Sequence, residues 1–429
     1  MRRRSKNASR ARRIALLFAA LCGLLGGVAL QGRQAASFYL RDGDRVVFYG
    51  DSITEQRLYT ADIESYVVTR FPSLNVSFTN SGWSGDRATM SGGGPIDVRL
   101  RRDVFAYQPT VVSVMLGMND AGYRAYDPGV FDAFSSAYEF MVDAVRKALP
   151  HVRMTLVQPS PFDDVTRPPQ FAGGYNAVLI RYGAFVKQLG ERENLAVADM
   201  NAPVVETLQR AEKADPRMAQ EIIPDRVHPS PAGHLVMAAA LLRAWDAPSL
   251  VASVQIDAAA HRVVRAENAQ VTLFDASKGL AWSETDRALP MPLDLDDPVV
   301  RLVLRCSDVA ATLDQEPLRV TGLQAPEYAL TIDGAKVGVY SAQKLAEGVN
   351  LALEPTPMEE QAKAANDLTR KHNEVHFARW RLVQVPLEKD RAPEVQAALD
   401  GLDRLEAELV KEQRAAAQPK THRYELTPQ

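Results

Sequence analysis

Between residues 45 and 245 short β-rich runs alternate with longer helical ones, and this alternation restricts the chain to few folds. Segments 45–49, 76–79, 110–116, 153–157 and 195–199 read as strands, and 130–149, 175–189 and 231–245 read as helices. Strands separated by helices cannot be joined as hairpins; they form βαβ units and a parallel sheet covered on both faces. The run Thr110-Val-Val-Ser-Val-Met-Leu116 is apolar on both faces, which suits a central strand of such a sheet. Sites in these sheets form at the carboxyl ends of the strands. Attention therefore falls on Gly50-Asp51-Ser52, on Asn80 to Asp86, and on Gly117-Met-Asn119-Asp120.

The pattern changes after Pro248. Segments 263–274 and 299–305 read as strands. Segments 328–332 and 337–340, around Asp333-Gly334, read as a hairpin. Segment 357–378 is helical, and 393–417 is an amphipathic helix with Pro393 in its first turn. The final residues read as a mobile tail. The expected division is 1–36 as an export signal or anchor, 37–248 as the catalytic domain, 249–345 as a β-rich accessory region, and 346–429 as a helical C-terminal region. Segment 348–357 is expected to return the chain to the catalytic domain.

Composition bears on where the chain works. Seven bases and no acid lie within residues 1–13, followed by an uncharged apolar run over 14–30 and small residues at Ala35, Ala36 and Ser37. That order is a secretory signal, giving an exported, periplasmic or secreted body. An uncleaved membrane anchor through 14–30 is the alternative. The whole chain has a net charge of −3, and the body without those bases is more acidic still, which argues against nucleic-acid binding. Loss of residues 1–36 leaves Cys306 as the only cysteine, so no internal disulfide is expected.

Four short blocks carry chemistry. Ser52 sits where the first strand turns into a helix, near backbone N–H groups that stabilise an anion. A serine hydroxyl needs a base, and a histidine base needs an acceptor that selects its tautomer. Asp225-Arg-Val-His228 holds both within one turn. Asn119 follows the central strand with an amide donor, and Gly85 offers a backbone N–H that substrate can approach. Taken singly, each block reads better as a turn, a helix cap or a packed histidine. No cluster of Cys, His or carboxylates marks a metal site, and no cofactor is expected.

Together, in this order, the blocks resemble the SGNH hydrolases, or GDSL esterase/lipase family, over about residues 43–245. The resemblance implies a flavodoxin-like three-layer α/β/α fold with a five-stranded parallel sheet, followed here by the β-rich and helical C-terminal region. It implies catalytic Ser52, Asp225 and His228, with an oxyanion hole of Ser52, Gly85 and Asn119. Gly82 competes with Gly85, and the Asn-x-x-x-x-Gly-Asp spacing favours Gly85. The implied activity is ester hydrolysis without a cofactor. The expected substrate is an acylated small molecule or polysaccharide carrying O-acetyl or another short acyl group. A lipid esterase or lysophospholipase is the rival enzyme, and a non-catalytic carbohydrate-binding or scaffolding protein is the rival of another class. Trp83, Tyr123, Tyr126, Phe162 and Phe171 read first as ordinary packing, with a stacking surface for sugar rings as the alternative. His234 is expected to be structural or to support the site. His372 and His376 are expected to pack or lie exposed, and His261 and His422 have no partners in the sequence pattern. Oligomeric partners are not legible.

Overall fold

The computed structural model describes residues 38–90, 92–275, 279–389 and 392–429. The expected export segment, 1–36, lies outside the described residues. Among the described residues no helix is long and apolar enough to cross a membrane.

Five strands form the expected parallel sheet: β1 Arg45–Gly50, β2 Ser77–Gly82, β3 Val111–Met115, β4 Arg153–Gln158 and β5 Ala196–Asp199, in the order β2-β1-β3-β4-β5. Every residue of β3 is buried, as its two-faced apolar run requires. The strand order reverses direction beside β1, so the carboxyl ends of β1, β2 and β3 border one crevice. β2 is longer than expected and takes in Asn80 to Gly82, whose partners are Phe48 to Gly50.

The covering helices are α1 Ser52–Glu55, α2 Leu58–Arg70, α3 Ile96–Asp103, α4 Pro128–Ala148, α5 Gly174–Glu193, α6 Asn201–Ala214 and α7 Pro231–Ala244. Helix α4 begins at Pro128 because Asp127 caps it, accepting from the Val130 N–H at 3.1 Å. Helices α2 and α7 pack together, α4 packs against α5, and their apolar residues share one core with the sheet.

The rest of the chain forms two further sheets. Strands β6 Ser253–Asp257, β7 Arg262–Glu267, β10 Pro317–Thr321 and β13 Val349–Asn350 make one, in the order β13-β10-β6-β7. Strands β8 Ala269–Phe274, β9 Leu280–Asp286, β11 Glu327–Ile332, β12 Ala335–Ser341 and β14 Thr421–Pro428 make the other, in the order β12-β11-β14-β9-β8. Both sheets contribute to a second apolar core, where Trp282 stacks on Tyr424 at 5.0 Å.

Three expectations are corrected here. Segment 299–305 is helical, as α8 Pro298–Cys306. Its β-branched content suggested a strand, but Asp297 caps it through the Val299 N–H at 2.7 Å, and Val300, Val303 and Cys306 are buried at helical spacing. The final residues are not a mobile tail. They are β14, hydrogen-bonded between β11 and β9, with Tyr424 and Leu426 fully buried. Segment 263–274 is two strands, broken at Asn268 in the left-handed region (φ 55°).

Helices α9 Pro357–Phe377 and α10 Pro393–Ala416 pack against each other, and α9 lies on α2 and β2. The chain thus returns to the catalytic layer as expected. Residues Phe38–Gln429 form one compact unit.

Candidate active site

Ser52 stands at the carboxyl end of β1, on the first residue of α1. The turn is made by Asp51, whose Oδ1 accepts from the Ile53 N–H at 3.0 Å while its carbonyl accepts from Glu55. Burial raises the Asp51 carboxyl to about 7, and the neighbouring Asp120 and Asp86 add to the shift.

The Ser52 Oγ lies 2.8 Å from His228 Nε2, and His228 Nδ1 lies 2.7 Å from Asp225 Oδ2. An ionised carboxylate only accepts, so Nδ1 carries the ring proton and Nε2 is left to accept from the serine hydroxyl. The other carboxylate oxygen, Oδ1, accepts from the backbone N–H of Val227 at 2.9 Å and of His228 at 2.7 Å. Partial burial pushes the Asp225 carboxyl up, but the His228 N–H and ring and the Val227 N–H outweigh it and hold it below the usual range. It therefore stays charged beneath the histidine. The turn also needs Arg226 in the left-handed region (φ 73°). Arg226 is held by Pro168 O at 3.0 Å, and Arg167 donates to Pro224 O at 2.9 Å and Ile223 O at 3.1 Å. The 160s loop thereby fastens the 223–228 turn, an arrangement with no local mark in the sequence.

Gly85 and Asn119 reach the same crevice from β2 and β3. Gly85 has φ 74°, a left-handed conformation that favours glycine, and the space beside it is open. Its N–H has no hydrogen-bond partner among the described residues. Gly82 differs. Its N–H donates to Asn80 Oδ1 at 3.0 Å, and a Cβ there would stand 2.1 Å from Glu55 N. Glycine at 82 lets β2 approach α1, whereas glycine at 85 leaves a donor free. Asn119 donates through Nδ2 to Asp86 O at 3.1 Å and accepts at Oδ1 from the Tyr123 hydroxyl at 2.9 Å. Tyr123 thus sets which end of the amide donates, and the second Nδ2 hydrogen remains available. Asp120 accepts from the Ala88 N–H at 2.9 Å, tying the β3 loop to the β2 loop.

Beneath the Gly85 loop lies Arg99, fully buried. It donates to Ser81 O at 2.9 Å and to Asp86 Oδ2 at 3.0 Å, and it pairs with Asp103. Burial raises the Asp86 carboxyl to about 6 against the pull of Arg99. His234 is buried and pushed down to about 3, chiefly by that burial and further by the charge of His228. As a neutral ring it accepts at Nδ1 from the Tyr59 N–H at 3.3 Å and donates from Nε2 to Gln56 Oε1 at 2.9 Å. It supports the site wall, as expected.

The cleft over Ser52 has a volume of about 450 Å³ and is lined by Ser52, Glu55, Gln56, Arg57, Ser84, His228 and Phe377. For most of the loop aromatics the structure shows ordinary packing rather than a stacking surface. Trp83 is only 6 % exposed, edge-on to Trp380 at 5.8 Å and beneath the Arg381 guanidinium at 3.4 Å. Phe162 is buried against Tyr175 and Tyr123, and Phe171 and Tyr126 are half-buried against the core. Aromatic side chains in these loops pack because the loops themselves need a core. The aromatic ring in the cleft is Phe377, from α9, 149 positions beyond His228 in numbering and invisible to motif reading.

His372 and His376 are both buried. His372 Nε2 lies 2.6 Å from Glu64 Oε1, and His376 packs on Trp380 at 6.3 Å. His422 does find a partner, Asp333, at 2.7 Å. Among the described residues no group of three or more His, Cys, Asp or Glu is placed to hold a metal ion.

A hydroxyl, an imidazole and a carboxylate in series make up the arrangement by which serine becomes a nucleophile. Residues 48–236 match the model of the GDSL-like lipase/acylhydrolase family. The chain carries a domain of this family over that segment. It is a carboxylic ester hydrolase of the SGNH type, with the five-stranded parallel sheet and a β-rich and helical C-terminal region. An acetylxylan esterase of Geobacillus stearothermophilus is 28 % identical over 221 residues, covering 47 % of this chain and 93 % of that protein. A solved structure of a gut microbial diltiazem-metabolizing enzyme is 25 % identical and superposes with a TM-score of 0.79 over 92 % of this chain and 99 % of that one. The second likeness runs through the C-terminal sheets and helices as well as the hydrolase segment.

Proposed function

We propose that the chain is an exported serine esterase that removes acetyl or other short acyl groups from carbohydrate. The observation that carries the reading is the Ser52–His228–Asp225 series, with its 2.8 and 2.7 Å links, opening onto a cleft walled by polar and charged side chains. Glu55, Gln56, Arg57 and Ser84 suit an alcohol rich in hydroxyls better than a long acyl chain. The likeness to an acetylxylan esterase supports the same substrate class.

The roles follow from chemistry. Ser52 Oγ attacks the ester carbonyl carbon as its proton passes to His228 Nε2. Asp225 stabilises the imidazolium formed. The backbone N–H groups of Ser52 and Gly85 and the amide of Asn119 receive the oxyanion. His228 then gives its proton to the leaving alcohol, and the acyl group stays on Ser52. Water, deprotonated by His228, attacks the acyl-enzyme and releases the acid and the free serine. Export rests on the basic and apolar order of residues 1–36.

Release of p-nitrophenol from acetyl, butyryl and octanoyl esters tests this reading, using the body from residue 37 onward and its Ser52→Ala variant. Acetyl preference that disappears in the variant is the expected result. Octanoyl preference would move the substrate to lipids, and activity surviving in Ser52→Ala would remove Ser52 from the nucleophile's role. Fractionation of cells producing the full chain tests export, with activity retained in the cytosol as the result against it.

A further inference from the structure

The wall of the cleft opposite the family blocks is not made by the family segment alone. Helix α9 ends at Phe377 and continues into a π-helical turn, Ala378–Gln384. Such turns are rare and concentrate at functional sites. This one is anchored by Trp380, fully buried, whose Nε1 donates to Asp103 Oδ1 at 2.6 Å. Higher on the same helix the buried His372–Glu64 link holds α9 to α2. These contacts dock the helix without help from Glu374 or Phe377.

What Glu374 and Phe377 do is hold Arg57. Arg57 separates α1 from α2 in the left-handed region (φ 62°), an uncommon conformation for a side chain of this size. Its Nη1 donates to Glu55 O at 2.7 Å, its Nη2 donates to Glu374 Oε1 at 2.8 Å, and its guanidinium lies 4.3 Å over the Phe377 ring. Its Nε is buried without a partner. Of five guanidinium hydrogens, two are engaged within the protein. The Glu374 side chain is 64 % exposed, and a pair so wet adds little to stability. Its effect is to orient an arginine that shares the cleft with Ser52 and His228.

The geometry points to an alcohol-side subsite built jointly by the hydrolase segment and the C-terminal helix: Phe377 is the apolar wall for a sugar ring, and Arg57, positioned by Glu374, is the donor to the acceptor oxygens on its rim. The inference rests on the carbohydrate reading above and deepens it. A pyranose presents apolar C–H faces and a rim of acceptor oxygens, which an aromatic ring beside an arginine fork matches. The C-terminal region is in this sense part of the specificity machinery.

The test compares kcat/KM for xylose tetraacetate with that for ethyl acetate, whose alcohol is too small to reach Phe377. Phe377→Ala is expected to lower the ratio by about tenfold, mainly through KM of the sugar ester, and Phe377→Tyr to restore it. Glu374→Gln lowers the ratio by roughly three- to fivefold in the same way, since Arg57 stays but its orienting partner is a neutral amide in place of a carboxylate. Leu382→Ala, an exposed residue of the same turn that does not line the cleft, serves as the control and leaves the ratio unaltered. If the wild type hydrolyses xylose tetraacetate and neither Phe377→Ala nor Glu374→Gln moves the ratio, the subsite is wrong. Equal losses of kcat on both esters would assign the two residues to structure instead. A wild type that cleaves ethyl acetate but not xylose tetraacetate overturns the carbohydrate reading itself, and the sugar subsite with it.

Discussion

Asn119 has a single amide and two tasks, and Tyr123 separates them. One Nδ2 hydrogen holds Asp86 O, and Oδ1 is fixed by the Tyr123 hydroxyl, so the second hydrogen is left for an oxyanion. Loss of one such donor typically costs about 3 kcal/mol of barrier. Asn119→Ala is expected to lower kcat on p-nitrophenyl acetate about a hundredfold with little change in KM. Near-normal turnover would remove Asn119 from the oxyanion role. Tyr123→Phe keeps the ring and removes only the orienting hydroxyl, so kcat should fall by roughly three- to tenfold, the worth of one hydrogen bond acting through another. No loss at all would mean that the amide needs no such guide. At this scale the motif residues are legible in the sequence, because each has a chemical type that the reaction requires. The residues holding them are not. Arg99, Arg167 and Arg226 work through backbone carbonyls that are remote in the chain, and nothing local in the sequence distinguishes them from surface arginines.

The docking of α9 on α2 is an element-scale device. Glu64 accepts from His372 at 2.6 Å, from Asn373 Nδ2 at 3.0 Å and from Gln413 Nε2 at 3.0 Å, all buried. Burial favours the neutral forms of both acid and base, yet their mutual charge and hydrogen bonds prevail: Glu64 is held below and His372 above its ordinary value. The raised His372 stabilises fully below its unfolded value near 6.5, and that contribution is lost as pH rises through the folded value. The depressed Glu64 stabilises above its unfolded value, and that contribution is lost as pH falls through the folded one. His372→Leu should therefore destabilise by about 3 kcal/mol or more at pH 6, because it leaves a buried carboxylate facing a hydrocarbon. The deficit in urea melts should narrow toward pH 9. An equal deficit at both pH values would mean that the pair is not ionised. Another prediction concerns β14. Removal of residues 421–429 opens the middle of a five-stranded sheet and exposes Trp282, so insoluble or unfolded protein is expected. A soluble truncated chain with an unchanged thermal midpoint would show that the strand is dispensable.

Across the whole molecule, the hydrolase layer and the β-rich region are joined over buried carboxyls. Asp314 meets Arg70 of α2 at 3.4 Å and accepts from the Met291 N–H at 2.9 Å, and Trp282 Nε1 donates to Glu284 Oε2 at 2.7 Å. Glu316, 2 % exposed, has neither side-chain oxygen hydrogen-bonded among the described residues. Burial raises Asp286 and Asp314 to about 7, and burial with neighbouring acids raises Glu284 and Glu316. The native state thus keeps protons that the unfolded chain gives up above about pH 4. Native protons in excess mean that stability falls as pH rises from that range to about 7. Glu316→Gln removes one of these protonations, and its urea midpoint should decline less than that of the wild type between pH 5 and 8. Parallel declines would sever the link between this cluster and pH.

Hydrophobic period and residue type are local properties, and they were enough for the parallel sheet and the placing of three blocks at its strand ends, while the candidate catalytic residues came from the resemblance of the four blocks taken together. Three matters were left to long-range packing: which glycine has a free N–H, which aromatic ring enters the cleft, and whether residues 421–428 form a central strand. Each of those depends on contacts between distant segments. Gly82 and Gly85 differ by what packs beside them, Trp83 is removed from the cleft by Trp380 and Arg381, and Phe377 enters the cleft because Trp380 and His372 dock its helix. Pairing energy between segments hundreds of residues apart leaves no periodic trace along the chain, so it becomes visible only once the chain is folded.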